Sequence, residues 1–265
     1  MPARLLFTLC LLSLLGACAT SPEGRRQLHL LPEAQLDAMG EQSFAELKKT
    51  APMTDKTNVR NYVQCIANQI IPQLAKDNNP AAWEVQVFAE DQANAFALPG
   101  RKIGVYEGLL KYAQNQHQLA AVIGHELAHV IAEHGNERVS SQLAANAGLS
   151  IAAIVLGTSS ESDNSLLMAG LGLGVQYGVL MPFSRSHESE ADLIGLDLMA
   201  RSGFDPRESV TLWQNMSKAG SGGPEFLSTH PSGNTRIKDL SARMSKAIAL
   251  QNNAQQAGKK PNCAL

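Results

Sequence analysis

The sequence is short of several things that would define its class at once. Charge is nearly balanced, with 22 Lys and Arg against 24 Asp and Glu and a formal net of -2. A polyanion finds no basic surface in such a chain, so no nucleic acid is expected as a partner. Aromatic residues make up only 5% of the chain, although it holds 21 glycines. No internal repeat is evident. Hydrophobic runs are short as well: Leu5–Leu15, Leu143–Leu156 and Leu166–Met181 each fall below the roughly 20 residues of a comfortable membrane span. Cysteines number four.

What is present begins with an export signal. Arg4 and the apolar stretch Leu5–Leu15 form a short positive and a hydrophobic region. They end in Leu15-Gly16-Ala17-Cys18, which resembles a bacterial lipobox. Residues 1–17 are therefore expected to be a lipoprotein signal peptide, removed so that Cys18 carries lipid, palmitate included, and ties the chain to a membrane without spanning it. An ordinary secretory signal before a chance cysteine is the alternative. Ala19, not an aspartate, follows the cysteine, and this favours the outer membrane of a Gram-negative bacterium. Cys10 leaves with the signal, so Cys65 and Cys263 remain and are expected to form a disulfide in an oxidising periplasm.

The mature chain divides into a polar tether at residues 18–31, a domain at 32–250 and a polar tail at 251–265, irregular unless Cys263 holds it. Helical spacing of Leu36, Met39, Phe44 and Leu47, and of Val59, Tyr62, Val63, Ile66 and Ile70, predicts two packing helices, the second ended by Pro72. Strands are predicted around Trp83–Val87, Asn94–Leu98 and Ile103–Tyr106, with Pro99-Gly100-Arg101-Lys102 as a turn, giving a small antiparallel sheet. Asn94, Ala95, Phe96 and Ala97 are candidate substrate-binding residues, since a sheet edge there can pair with an extended peptide. A purely structural hairpin accounts for the pattern equally well. The apolar stretches Leu143–Leu156 and Leu166–Met181 read as a helical hairpin closing over a site, with a membrane hairpin as the alternative. The segment Ser184–Met199 opens a helix ended near Gly203, Asp205-Pro206 starts another, and a last helix carries Ile237, Leu240, Met244 and Ile248.

Chemistry concentrates in Gly124-His125-Glu126-Leu127-Ala128-His129, set in an apolar helical stretch. Four helical residues place His125 and His129 about 40° apart on one face, where both imidazoles can reach one zinc ion. Glu126, beside the first ligand, can then take a proton from a water. A buried helix with two satisfied histidines is the bland alternative. Zinc enzymes commonly use three protein ligands. His134 lies about half a turn away on a continuous helix and misses the metzincin spacing, so it is not expected to be one. Glu188 and Asp192, also four apart, are the other candidates, the first for the metal and the second to orient a histidine, although such pairs usually form a solvated face.

The set His125–His129 plus Ser184-Arg185 and Glu188-Ser189-Glu190-Ala191-Asp192 resembles the zinc metallopeptidase family of the CAAX prenyl endopeptidases, the HtpX protease and the Oma protease, which share HExxH and ExxxD. With Asn94–Gly100, Ser228-Thr229-His230-Pro231 and the lipobox, the similarity is greatest to the bacterial periplasmic branch that includes the lipoprotein LoiP and the repeat-bearing BepA. The resemblance implies an α+β, mainly helical, zincin-like peptidase with one Zn2+ per chain. His125, His129 and Glu188 would be its ligands, Glu126 the base, Asp192 an outer partner, and His230 either a fourth ligand or a group at the reacting carbonyl. It also implies an endopeptidase for unfolded or misassembled polypeptides in outer-membrane quality control, working beside assembly machinery or other periplasmic proteases. A prenylated substrate is not expected without membrane spans, nor is docking through the repeats that BepA carries. A chaperone or assembly lipoprotein with a vestigial zinc site is the non-enzymatic rival.

Overall fold

Phe44, Val63, Ile66 and Ile70 lose all of their accessible surface, and they are the apolar positions of the first two helices. The computed structural model describes residues 18–155, 183–218, 225–230 and 234–265. In it these helices are α1 (Glu33–Thr50) and α2 (Thr57–Ile70), and Pro72 falls in a single 3-10 turn, Ile71–Gln73, that ends α2. The signal peptide, the polar loop at 157–164, the apolar stretch at 166–181, the glycine-rich loop at 220–224 and Pro231 lie outside the described residues.

Three strands follow, β3 (Glu84–Phe88), β4 (Ala95–Leu98) and β5 (Lys102–Tyr106), numbered after a short N-terminal pair, β1 (Cys18–Thr20) and β2 (Arg26–Leu28). A three-residue turn with left-handed backbone at Gly100 and Arg101 folds β4 onto β5 as an antiparallel hairpin. That hairpin takes one edge of β5, and β3 lies on the other, parallel to it, with Val85 opposite Ile103. The sheet is thus mixed in the order β3–β5–β4, antiparallel only in the hairpin. Phe44, Phe88, Phe96 and Tyr106 pack beneath it at ring separations of 5.3–6.3 Å. Each such buried ring contributes about 1.5–3 kcal/mol.

Among the described residues six further helices give an α+β fold that is mainly helical: α3 (Gln116–Ile131), α4 (His134–Val155), α5 (Arg185–Arg201), α6 (Arg207–Ser217), α7 (Phe226–Thr229) and α8 (Asn234–Gln256). Gly203, at φ +88°, ends α5. Helix α3 is the central one, buried at every residue from Gln118 to His129. It crosses α5 glycine on glycine. A Cβ on Gly195 would lie 2.7 Å from the His125 nitrogen, so only hydrogen lets the backbones approach this closely.

The two ends of the domain depart from the sequence reading. The segment expected to be a polar tether contains the β1–β2 hairpin, laid on the domain with Gln27 buried. The Gln27 amide donates to the Ala132 carbonyl at 2.6 Å, and Arg25 reaches Glu137 at 2.6 Å. Its polar residues face buried carboxylates and carbonyls, which composition alone does not reveal. Helix α8 runs to Gln256, so part of the expected irregular tail is helical. Beyond it Cys263 forms the expected disulfide with Cys65 on α2, at a Cα separation of 5.8 Å. Among the described residues no helix is long and apolar enough to cross a membrane.

Candidate metal centre

Asn115 starts α3 by accepting hydrogen bonds from the His117 and Gln118 amides at 2.9 and 3.0 Å. Three turns on, His125 and His129 point from one face of the helix with their Nε2 atoms 3.1 Å apart. Ser184 caps α5 through the His187 amide at 3.2 Å, and that helix aims Glu188 at the same point. Oε1 of Glu188 lies 3.4 Å from His129 Nε2, and its Oε2 lies 3.6 Å from His125 Nε2. His230, just after α7, brings Nδ1 to 2.9 Å from Glu188 and 3.2 Å from His125. Its ring is stacked on Phe226 at 4.4 Å. All four side chains are buried, and one ligand atom from each lies within 4.8 Å of all the others.

These separations are those of ligands about one small cation. A tetrahedral zinc with bonds of roughly 2.0–2.1 Å holds its ligand atoms about 3.4 Å apart. Protonation states lead to the same conclusion. His125 Nδ1 lies 3.1 Å from the Asp192 carboxylate, which only accepts, so the ring proton sits on Nδ1 and Nε2 turns a lone pair inward. Burial lowers His129 well below the usual histidine value, so it is neutral at pH 7. Burial pushes the Glu188 carboxyl up, but the His129, His230 and His125 rings around it outweigh this and hold the group ionised. A buried set of imidazole nitrogens and a carboxylate converging on one point fits zinc.

Arg236 of α8 holds the carboxylates from behind. It grips Asp192 with two hydrogen bonds of 2.6 and 2.7 Å, reaches Glu188 Oε2 at 2.7 Å, and lies 3.7 Å over the Trp213 ring. Burial raises the Asp192 carboxyl, but the Arg236 charge together with hydrogen bonds from Arg236 and His125 outweighs this and keeps it below the ordinary range. Glu126 is different. Burial pushes its carboxyl up, and Oε1 has no hydrogen-bond partner among the described residues, with His230 Nε2 3.4 Å away. The Ala97 amide of β4 donates to it.

Strand β4 is an edge of its sheet and lies against α3. Beside it runs a groove of about 360 Å³, from His129 past Ala97 and Leu98 to Leu36, Leu74 and Trp83. Of the four candidate substrate-binding residues only Ala97 lines it. Phe96 turns into the aromatic cluster, Ala95 is buried, and the Asn94 side chain accepts from the Ala95 amide at 2.9 Å.

His134 stands outside the ligand group, as the sequence reading expected, but not on the far side of a helix. Glu133 adopts φ +49°, α3 ends, and α4 turns His134 back so that its Nδ1 lies 2.9 Å from His129 Nδ1. Burial pushes His134 down to about 4, leaving it neutral at pH 7. The sequence reading also missed Arg236 and Glu190. Arg236 is one cation among several on a helix read for its apolar stripe, and Glu190 lies inside the recognised acidic motif with nothing to set it apart.

Residues 57–244 match the sequence pattern of peptidase family M48. The protein named mitochondrial metalloendopeptidase OMA1 of Schizosaccharomyces pombe is 39% identical over 182 residues, which are 68% of this chain and 51% of that protein. The OMA1 metalloendopeptidase of Bos taurus is 32% identical over 238 residues, 86% of this chain and 44% of its own length. The beta-barrel assembly-enhancing protease of Escherichia coli is 27% identical over 211 residues, 77% of this chain and 43% of the relative. The chain spans about half the length of these curated relatives.

Proposed function

The chain belongs to peptidase family M48, and from that premise we propose a zinc-dependent endopeptidase that cleaves unfolded or misassembled proteins in the periplasm, at the outer membrane. The observation that carries the chemistry is the buried convergence of His125, His129, Glu188 and His230 beside Glu126, whose Oε1 has no hydrogen-bond partner among the described residues. His125, His129 and Glu188 would hold the zinc in this reading, with His230 as a further candidate ligand, and Asp192 orients His125. Bound zinc supplies Lewis acidity for the scissile carbonyl and brings the pKa of a coordinated water towards 7.

The chain's own residues do the rest. Glu126, made more basic by burial, takes the proton of the attacking water and hands it to the leaving amine. His230, 3.4 Å from Glu126 and 2.9 Å from Glu188, would serve either as a further ligand in the resting state or as a group facing the reacting carbonyl. An extended substrate pairs with the free edge of β4 from Ala97 onward, and main-chain pairing of this kind gives affinity with little choice of sequence. Its side chains lie along the groove towards Leu36 and Trp83.

The location rests on the leader and lipobox at residues 1–18. In this reading residues 1–17 are removed and Cys18 is lipidated, so the domain works on unfolded chains beside the outer-membrane assembly machinery. Two of the relatives are named mitochondrial and one is named for β-barrel assembly. Glu126→Gln tests the mechanism. Casein cleavage should fall about 10²–10⁴-fold while zinc stays near one per chain, and a chelator should abolish the wild-type cleavage. Full proteolysis by a zinc-loaded Glu126→Gln protein would refute the assignment.

A further inference from the structure

The two histidines of the HExxH motif are supported differently. His125 meets the Asp192 carboxylate directly, whereas His129 meets a second imidazole. His134 Nδ1 lies 2.9 Å from His129 Nδ1, and His134 Nε2 lies 3.1 Å from Oε2 of Glu190. Glu190 is held in turn by Arg25 Nε at 3.1 Å and by the Glu23 amide at 3.3 Å, both in the N-terminal hairpin.

The direction of this chain follows from its end. A carboxylate accepts, so the His134 nitrogen that faces Glu190, Nε2, is the one that donates, and Nδ1 is left to accept. The hydrogen between the two Nδ1 atoms therefore belongs to His129. Its Nε2 is left with the lone pair that a cation requires. With the reverse order, the His129 nitrogen facing the metal centre would be protonated and closed to coordination.

We propose that Glu190 and His134 are positioning residues that set the tautomer of His129 for metal binding, and that the N-terminal hairpin holds this relay in place through Arg25. Arg25 also pairs with Glu137 at 2.6 Å, and Glu137 lies 3.1 Å from His187, whose ring stacks on His134 at 4.5 Å. Gln27 holds the Ala132 carbonyl at the break that turns His134 back towards His129. Residues leading directly from Cys18 thus bear on a metal ligand through three side chains, so the segment next to the membrane tether is part of the support of the site.

The inference rests on the zinc site proposed above, and its test separates the two. Asparagine places Oδ1 where His134 has Nδ1, whereas phenylalanine keeps the ring volume without an acceptor. Zinc affinity is measured on the purified chain by competition with a chromophoric chelator, and the unfolding temperature of each variant is recorded. His134→Phe should weaken zinc about 10–100-fold and His134→Asn no more than about threefold. A packing role for the ring predicts the opposite order. Wild-type affinity in His134→Phe, or an equal loss in both variants, overturns the relay. Should His134→Phe not fold, Glu190→Ala decides: a loss of about tenfold is expected, and unchanged affinity overturns the proposal. If the wild-type chain itself takes up no zinc, the site assignment fails instead.

Discussion

Replacing Gly195 by alanine tests whether the closeness of α3 and α5 is what assembles the metal centre. The added Cβ would lie 2.7 Å from the His125 nitrogen, 2.8 Å from the Gly124 carbonyl carbon and 2.9 Å from the His125 Cα. All three are backbone atoms and cannot rotate away. Ordinary contact begins near 3.4 Å, so the helices must part by about 0.7 Å, an overpacking that costs roughly 1–3 kcal/mol. For a domain of this size that is a fall in unfolding temperature of about 2–12 °C. The same movement carries Glu188 away from His125 and His129. A misplacement approaching 1 Å near the chemistry lowers turnover by about 10²-fold. The assay pairs thermal unfolding with zinc affinity and casein cleavage. Gly135→Ala serves as the stability control, because its Cβ would meet nothing within 4 Å. That change should be neutral or stabilise α4 by about 1 kcal/mol. A Gly195→Ala protein that unfolds and binds zinc like the wild type would refute the argument.

Two further changes probe the charges behind the site. Arg236→Met leaves Asp192 and Glu188 buried without their cation, and the chelator-treated protein should lose about 3–5 kcal/mol. The zinc-loaded protein should lose less, since the ion also compensates Glu188; equal losses in denaturant titrations with and without chelator would contradict this. Asp197 is a case remote from the metal. Burial raises its carboxyl, but hydrogen bonds from Arg243 at 2.9 Å and Lys246 at 3.0 Å outweigh this and lower it. A depressed carboxyl stabilises the fold above its unfolded pKa of about 3.9 and stops doing so as pH falls through the lower folded value. Asp197→Asn should therefore be less stable than wild type at pH 7, with the gap closing below about pH 4. A gap independent of pH, measured by urea unfolding, would count against that pairing.

Much of this protein is local and was legible in the chain. The stripes of α1 and α2, the proline that ends α2, the turn at Gly100 and the cap at Ser184 follow from periodicity and from residues with restricted backbone or capping side chains. His125 and His129, and likewise Glu188 and Asp192, share faces because four residues make about one helical turn. The family resemblance supplied the pairing of those two faces, which spacing alone leaves open.

The misreadings share one cause. His134 was placed by continuing a helix that Glu133 interrupts, and one positive φ reverses where its side chain points. Strand β3 pairs in parallel with β5, across the sheet from the hairpin partner β4, a long-range choice invisible in either strand alone. The N-terminal segment looks like a tether because its partners, Glu137, Glu190 and Ala132, lie more than 100 residues away.

By itself, the sequence determined which side chains can bind a cation and on which helix face each pair stands, because those are properties of a few consecutive residues. Only the tertiary structure decided that the two faces meet over Gly124 and Gly195, that Arg236 neutralises the carboxylates, and that His134 and Glu190 stand behind His129. Those are contacts between distant elements. They are fixed by how closely backbones pack and by the cost of leaving a buried charge unpaired, and no local pattern encodes either.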